Sequence, residues 1–253
     1  MSEDIFDVQG RVVLVAGGAR GLGESLARSL AERGARIVLA DRLADEGEQV
    51  VSALPGEGHF FQPLDLGDES SIEAAVKAAA TRLGRLDVVV NSAGVAAVGA
   101  ALELSKEEFE RSMAINVTGA FLLSRHAAKI MIEQGGGQIV HMASVSSRVS
   151  NPLYSAYSTS KAGLSQLVKI LAVEWAQHSV NVNAIGPAMT PTPLTERQLL
   201  SSDEKRAKAL AQIPIGRFGT PEDLLGTVLL LSSPAGKFIT GQTIFVDGGR
   251  TLV

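Results

Sequence analysis

One alternation constrains this chain more than any other feature. Short β-branched runs, apolar on both faces, are separated by longer stretches whose apolar residues recur at helical spacing. "RVVLVAGG" reads as a strand ending in glycines, and "LGESLARSLAERG" as the helix that follows it. "ARIVLADR" is a second strand, leading into a helix around residues 44–54. "FFQPLDL" is a third, followed by "DESSIEAAVKAAATRLG", a helix with acids at its start and Arg82 near its end, as the helix dipole favours. After a fourth strand in "LDVVVNSAG", Ser105 and Glu108 form a capping box that opens a long helix to about residue 133. "GQIVHMAS", a helix over 154–177 and "VNVNAIGP" come next, then a helix begun by Thr220-Pro221 and a last strand in "TIFVDGG". Strands buried on both faces belong to parallel sheets with helices on either side, so the pattern predicts an α/β, doubly wound parallel sheet. No linker, repeat or low-complexity stretch divides residues 1–253, which predicts one domain. Only the segment 192–213 breaks the rhythm, being polar and proline-bearing. It is expected to be a lid over a site, with a solvated surface excursion as the alternative.

Composition narrows the function. The net charge is −4 and the cations are scattered, so no basic stripe offers itself to nucleic acid or to an anionic membrane. There is no cysteine, which removes disulfides, thiolate catalysis and Cys-ligated metals. The four histidines, His59, His126, His141 and His178, match no metal-ligand spacing, so no metal is expected. The N-terminal "MSEDIFDVQGR" is acidic, unlike a signal or transit peptide, and no apolar run approaches the ~20 residues that span a bilayer. The expectation is a cytoplasmic protein.

The first strand runs into Gly17-Gly18-Ala19-Arg20-Gly21-Leu22-Gly23, a Gly-x-x-x-Gly-x-Gly turn that opens a helix. Glycines there permit a tight turn and let backbone amides approach a pyrophosphate at the helix N-terminus, the arrangement of a Rossmann fold. Gly17, Arg20, Gly21 and Leu22 are the candidate contacts, the alternative being a turn needed only for packing. Asp41 ends the second strand, where a carboxylate can accept hydrogen bonds from the adenosine ribose of NAD and repel the 2′-phosphate of NADP. Arg20 and Arg42 argue the other way, since either could pair with that phosphate. A fixed carboxylate outweighs two flexible, solvated cations, so NAD is expected, with NADP second. Small residues in "NSAG" (91–94) leave room for a planar group. Asn116 lies inside the long helix, where asparagine is a poor helix former, so its amide is expected to hold a water or a backbone group at a helix irregularity, or to face solvent. Ser144 follows the fifth strand at the carboxyl edge, where such sheets build their sites. Finally, "AYSTSKAG" sets Tyr157 and Lys161 four residues apart, on one helix face. An ammonium beside a phenol favours the phenolate, although Tyr-x-x-x-Lys alone arises by chance in many helices.

Taken together, "GGARGLG", "NSAG", "INVTG", Ser144 thirteen residues before Tyr157, "YSTSK", "VNAIGP" and "TGQTIFVDGG" resemble the short-chain dehydrogenase/reductase family over essentially the whole length. The resemblance implies an NAD(P)-dependent oxidoreductase interconverting a secondary alcohol and a ketone. It implies that Tyr157 is the general acid/base, that Ser144 binds the substrate oxygen, and that Asn116 holds a water relaying protons from Lys161. Lys161 itself is expected to hold the nicotinamide ribose and lower the tyrosine's pKa. Asp65 and Leu66 are expected to flank the adenine, and Asn91, Ala93 and Gly94 to line the riboses. Pro187, Thr190 and Thr192 are expected to hold the carboxamide, and Tyr154, Met189 and Leu194 to line the substrate. A homotetramer is the implied assembly. The chain departs from the family pattern at Ala16, in place of a threonine, at Ala188, in place of a glycine, and in "HSVNVN", which lacks the usual turn glycine. A small sugar acid, polyol or hydroxy compound is the expected substrate, and Arg148, read first as a solvated loop arginine, is the alternative candidate to meet a substrate carboxylate. The rival readings are a 3-oxoacyl-carrier-protein reductase and, from another class, a non-catalytic cofactor-sensing regulator.

Overall fold

A computed structural model describes residues 4–192, 195–196 and 202–253. Seven strands lie in the order β3-β2-β1-β4-β5-β6-β7, every neighbouring pair parallel. They are β1 (Val12–Ala16), β2 (Arg36–Asp41), β3 (Phe60–Pro63), β4 (Val88–Asn91), β5 (Gly137–Met142), β6 (Val180–Pro187) and β7 (Thr243–Val246). The helices between them are α1 (Gly21–Ala31), α2 (Ala44–Ser52), α3 (Glu69–Leu83), α4 (Lys106–Met113), α5 (Ala120–Glu133), α6 (Ser155–Trp175), α7 (Asp203–Leu210) and α8 (Pro221–Ser232). The doubly wound sheet is therefore present, and its direction of winding reverses between β1 and β4, where such sheets bind ligands.

Strands β1 and β4 are buried along their whole length, which explains their unbroken apolar sequence. Alternate residues feed two separate cores. Val12 and Leu14 pack beneath α3, α5 and α6 with Ile72, Leu123 and Val168, whereas Val13 and Val15 pack with Leu26, Leu30 and Val228 of α1 and α8. Each core covers one face of the sheet, which leaves the strand ends as the place for a site.

The expected long helix to residue 133 is interrupted. Its capping box at Ser105 and Glu108 forms as expected, but residues Ala114–Gly119 make a π-helical turn between α4 and α5. Such turns widen the helix at functional positions. Asn116 sits in the middle of this one.

Two of the three departures from the family pattern have local explanations. Ser179, where the turn glycine is missing, adopts a left-handed φ of 59° after α6. Ala188, by contrast, is not among the positive-φ residues, so its methyl group imposes no backbone strain. Ala16 is buried, and its carbonyl accepts the Ser92 N–H at 2.9 Å.

Candidate active site

The carboxyl edges of β1, β4, β5 and β6 border a cleft of about 570 Å³, within the size range of small-molecule sites. Gly17, Arg20, Gly21 and Leu22 line one end, and Ser144, Tyr154, Tyr157, Lys161, Pro187, Met189, Thr190 and Thr192 line the other, with Gly94 between them. Leu194 lies outside the described residues.

The glycine turn is built for close approach. Gly17 has φ 76°, and a Cβ there would lie 2.6 Å from the Ala93 nitrogen, so the turn is pressed against the end of β4. A Cβ on Gly23 would strike the Gly17 carbonyl. No side chain caps α1, whose Ncap is Arg20, so its first amides remain free to meet an anion. Asp41 holds the turn from below: one carboxylate oxygen accepts the Ala19 N–H at 3.0 Å and the other the Leu43 N–H at 3.2 Å. Each oxygen keeps a lone pair for a hydroxyl.

The two competing arginines are already engaged. Arg20 pairs with Glu46, and Arg42 lies 3.5 Å from Asp65. Asp65 also accepts the Gly67 N–H at 2.8 Å, while Leu66 is buried in the core and does not line the cleft. Asn91 is likewise turned inward and Ala93 backs Gly17, so of the "NSAG" positions Ser92 and Gly94 face the cleft.

At the other end Tyr157 and Lys161 do share a face of α6. The Lys161 ammonium, 5% exposed, donates to the Met142 carbonyl at 2.7 Å and lies 5.7 Å from the Tyr157 ring centroid. Burial lowers the Lys161 pKa from 10.5 to about 8. The expected depression of the tyrosine is not found in the chain alone. Burial pushes the Tyr157 phenol up, and a hydrogen bond with Ser144 pulls it only partly back. Ser144 is fixed in turn, its hydroxyl accepting the Ser146 N–H at 3.1 Å. The Tyr154 ring meets the Tyr157 ring edge-on with centroids 6.1 Å apart.

Asn116 takes the backbone alternative. Its Oδ1 accepts the Val95 N–H at 2.9 Å, and its Nδ2 donates to the Val95 carbonyl at 2.8 Å and to Ser160 Oγ at 2.9 Å. Ser160 Oγ passes the contact on to the Tyr157 carbonyl at 2.7 Å. The π turn therefore ties the strand β4 exit to the helix that carries Tyr157, and Asn116 itself does not line the cleft.

Sequence reasoning missed His141. It lies beside Asn91 in the β4–β5 register, with its Nδ1 3.1 Å from Asn91 Nδ2 and its Nε2 2.8 Å from Ser124 Oγ. Because Ser124 donates to the Ala120 carbonyl at 2.7 Å, His141 donates from Nε2 and accepts at Nδ1. Burial and the Lys161 charge hold its pKa down at about 3, so it is a neutral brace between β4, β5 and α5. Arg148 is not a lining residue either. It lies over the Phe245 ring at 5.7 Å. Among the described residues no cluster of three His, Cys, Asp or Glu could hold a metal, and no helix is long and apolar enough to cross a membrane.

Known proteins resemble this chain in sequence and fold. The family described as enoyl-(acyl carrier protein) reductase matches residues 17–251. The D-threitol dehydrogenase of Mycolicibacterium smegmatis is 38% identical over 250 residues, covering 98% of this chain and 95% of that protein. A short-chain type dehydrogenase/reductase from Mycobacterium marinum superposes with a TM-score of 0.93 at 36% identity, covering 99% of each chain. The gluconate 5-dehydrogenase of Burkholderia cenocepacia, in complex with NADP and tartrate, gives a TM-score of 0.94 at 30% identity, covering 99% of this chain and 98% of that one.

Proposed function

The chain belongs to the short-chain dehydrogenase/reductase family and is an oxidoreductase acting on CH–OH groups, and from that premise we propose that it interconverts a small secondary alcohol and its ketone with NAD(H), using Tyr157 as general acid/base. The observation that carries the proposal is the sharing of one cleft by an uncapped, glycine-opened helix end and by Ser144, Tyr157 and Lys161. The cradle around Gly17, which a Cβ would fill, fits a pyrophosphate pressed against backbone. Gly17, Arg20, Gly21, Leu22 and Asp41 would hold the adenosine half of the dinucleotide, and Gly94, Lys161, Pro187, Thr190 and Thr192 the nicotinamide half. When bound, the cofactor supplies the hydride acceptor or donor.

In oxidation, Tyr157 takes the proton from the substrate hydroxyl as its carbon gives up hydride, and in reduction it returns that proton to the carbonyl oxygen. Ser144 donates a hydrogen bond to the same oxygen, where charge develops during transfer. A phenol raised by burial needs a cation to work near neutral pH. Lys161 is the cation this chain brings to Tyr157. Asn116 and Ser160 position Tyr157 through its own carbonyl.

For NAD over NADP, the supporting geometry is a surplus of negative charge. Asp41, Glu46 and Asp65 outnumber Arg20 and Arg42, and each of the two arginines already meets one of those acids. The NADP of the Burkholderia structure belongs to that protein. Reduction of an acyl-carrier ketone is the second reading, supported by 33% identity over 248 residues to the 3-oxoacyl-[acyl-carrier-protein] reductase of Vibrio cholerae. Assembly as a homotetramer and cytoplasmic location belong to the same proposal.

The test is turnover, followed by NADH absorbance, with both cofactors and a panel of alcohols plus an acetoacetyl thioester. Tyr157→Phe keeps the ring and removes the transferable proton, so turnover should fall by at least about 10²–10⁴-fold while NADH still binds. Near-normal turnover in this variant refutes the mechanism. A wild type with no turnover on any substrate supports the cofactor-sensing alternative instead.

A further inference from the structure

The substrate end of the cleft holds an arginine that the mechanism leaves unused. Arg250 follows β7 in a turn organised by Asp247, whose carboxylate accepts the Gly249 N–H at 3.0 Å and the Thr251 N–H at 2.8 Å. Gly248 and Gly249 take left-handed φ values of 58° and 89°. A Cβ on Gly248 would lie 2.6 Å from Ile215 Cγ2, so the turn is packed against the chain that leaves α7. This packing delivers Arg250 to the cleft wall beside Asn151, Tyr154 and Gln212.

One guanidinium nitrogen donates to Asn151 Oδ1 at 3.0 Å and another to a main-chain oxygen of the last residue, Val253, at 3.1 Å. Arg20, Arg42, Arg85, Arg125, Arg206 and Arg217 each have a carboxylate within 4.0 Å. Among the described residues no Asp or Glu side chain pairs with Arg250. The described lining residues of the cleft include Arg20, Lys161 and Arg250 and no Asp or Glu. A chain of net charge −4 thus presents a cleft of purely positive side-chain charge. Arg20 and Lys161 belong to the cofactor's two ends in the reading above. Arg250 remains, half-buried, with N–H donors to spare in a planar fork that matches a carboxylate.

We infer that Arg250, steadied by Asn151, is the carboxylate-binding subsite of the substrate pocket, and that the substrate is a hydroxy acid rather than a neutral polyol. The inference rests on the proposed dehydrogenase function for the identity of the reacting group, and on the cleft alone for the anion. A charge-assisted pair in a partly water-excluded cleft discriminates more strongly than an exposed one.

The experiment compares acids with the alditols of equal length, D-gluconate with D-glucitol and D-threonate with D-threitol, in the wild type, Arg250→Met and Arg250→Lys. The wild type should favour the acid by tenfold or more in kcat/KM. Arg250→Met should collapse that ratio at least tenfold, through KM rather than kcat, and Arg250→Lys should restore part of it. In parallel, calorimetry with NADH present measures binding of succinate, which has no hydroxyl to oxidise and reports on the subsite without turnover. Succinate should bind the wild type and bind Arg250→Met at least tenfold more weakly. Retained NADH affinity in both variants shows that they are folded. If no alcohol is oxidised but succinate binding still depends on Arg250, the functional reading falls and the subsite stands. Alditols used as well as acids, or succinate binding indifferent to both Arg250 variants, overturns the inference.

Discussion

Lys161→Met should make the protein less sensitive to pH, by an amount the structure sets. The ammonium is 5% exposed and donates to the Met142 carbonyl at 2.7 Å. Among the described residues it has no carboxylate partner, so burial is uncompensated and its pKa falls from 10.5 to about 8. At about 1.36 kcal/mol per pH unit, that lowering corresponds to about 3 kcal/mol of folding free energy. The folded lysine holds its proton less tightly than the unfolded one. Between pH 8 and 10.5 the unfolded chain therefore carries more protons, and stability rises with pH. Below pH 8 the whole penalty is present; above 10.5 both states are neutral and it is gone.

Replacing Lys161 by Met removes the penalty and leaves the Met142 carbonyl without its donor, which costs about 1–3 kcal/mol. At pH 7 these two effects nearly offset each other, so the absolute stability is a poor reporter. The slope is not. Urea denaturation of both proteins at pH 7, 8, 9 and 10 should show the variant losing about 2–3 kcal/mol relative to the wild type as pH rises. Other titrating groups are common to both proteins and drop out of the difference. Parallel pH profiles would mean that Lys161 is solvated in the folded state, and the electrostatic account of the site would go with it. Loss of turnover in the same variant would show that the chain retains a destabilising cation because its chemistry needs one.

Three further outcomes follow from particular residues. Wild type should prefer NAD over NADP by at least about tenfold in kcat/KM, and Asp41→Ser should shrink or reverse that ratio mainly through cofactor KM, since tenfold is about 1.4 kcal/mol and the adenosine end is remote from hydride transfer. A wild type that already favours NADP refutes the charge argument. Ser179→Gly relieves a left-handed φ of 59° that costs a residue with a Cβ roughly 1–2 kcal/mol. After glycine's larger entropy loss of about 0.5–1 kcal/mol, a Tm gain of about 2–4 °C is expected, and calorimetry showing none would place the strain elsewhere. The segment around α7 should gain protection from hydrogen exchange when cofactor and substrate are both present, because Ala209, Gln212 and Ile213 line the cleft. Equal protection in both states would make it a fixed surface element.

What the sequence made legible was whatever is local. Strand and helix identity comes from periodicity over about ten residues, and the capping box at Ser105 needs only Glu108, three positions on. Asn116 marked a helix irregularity by its own poor propensity, and the π turn is there, with its amide on the Val95 backbone. The parts that stayed hidden depend on partners far apart in the chain. Arg20 meets Glu46, and Arg42 meets Asp65, across loops whose separation says nothing of proximity. His141 looked like a stray histidine until strand register set it beside Asn91.

Arg148 and Arg250 show how the division works at the site itself. Both are loop arginines at the carboxyl edge of the sheet, and the sequence offers Arg148 as a candidate for a substrate carboxylate beside its reading as a solvated loop residue. In the fold, Arg148 turns away over Phe245, a residue of β7. Arg250 enters because β7 runs parallel to β6, pairing Val246 with Pro187, so that its exit loop lands on the same edge as the Pro187–Thr192 wall. A parallel sheet sends every strand exit to one side, and a residue 93 positions after Tyr157 becomes its neighbour across a cleft. The proposed catalytic pair is readable from a helix turn, because both groups ride on α6. The proposed substrate contacts come from exits of different strands, and they become visible only once the order of those strands in the sheet is known.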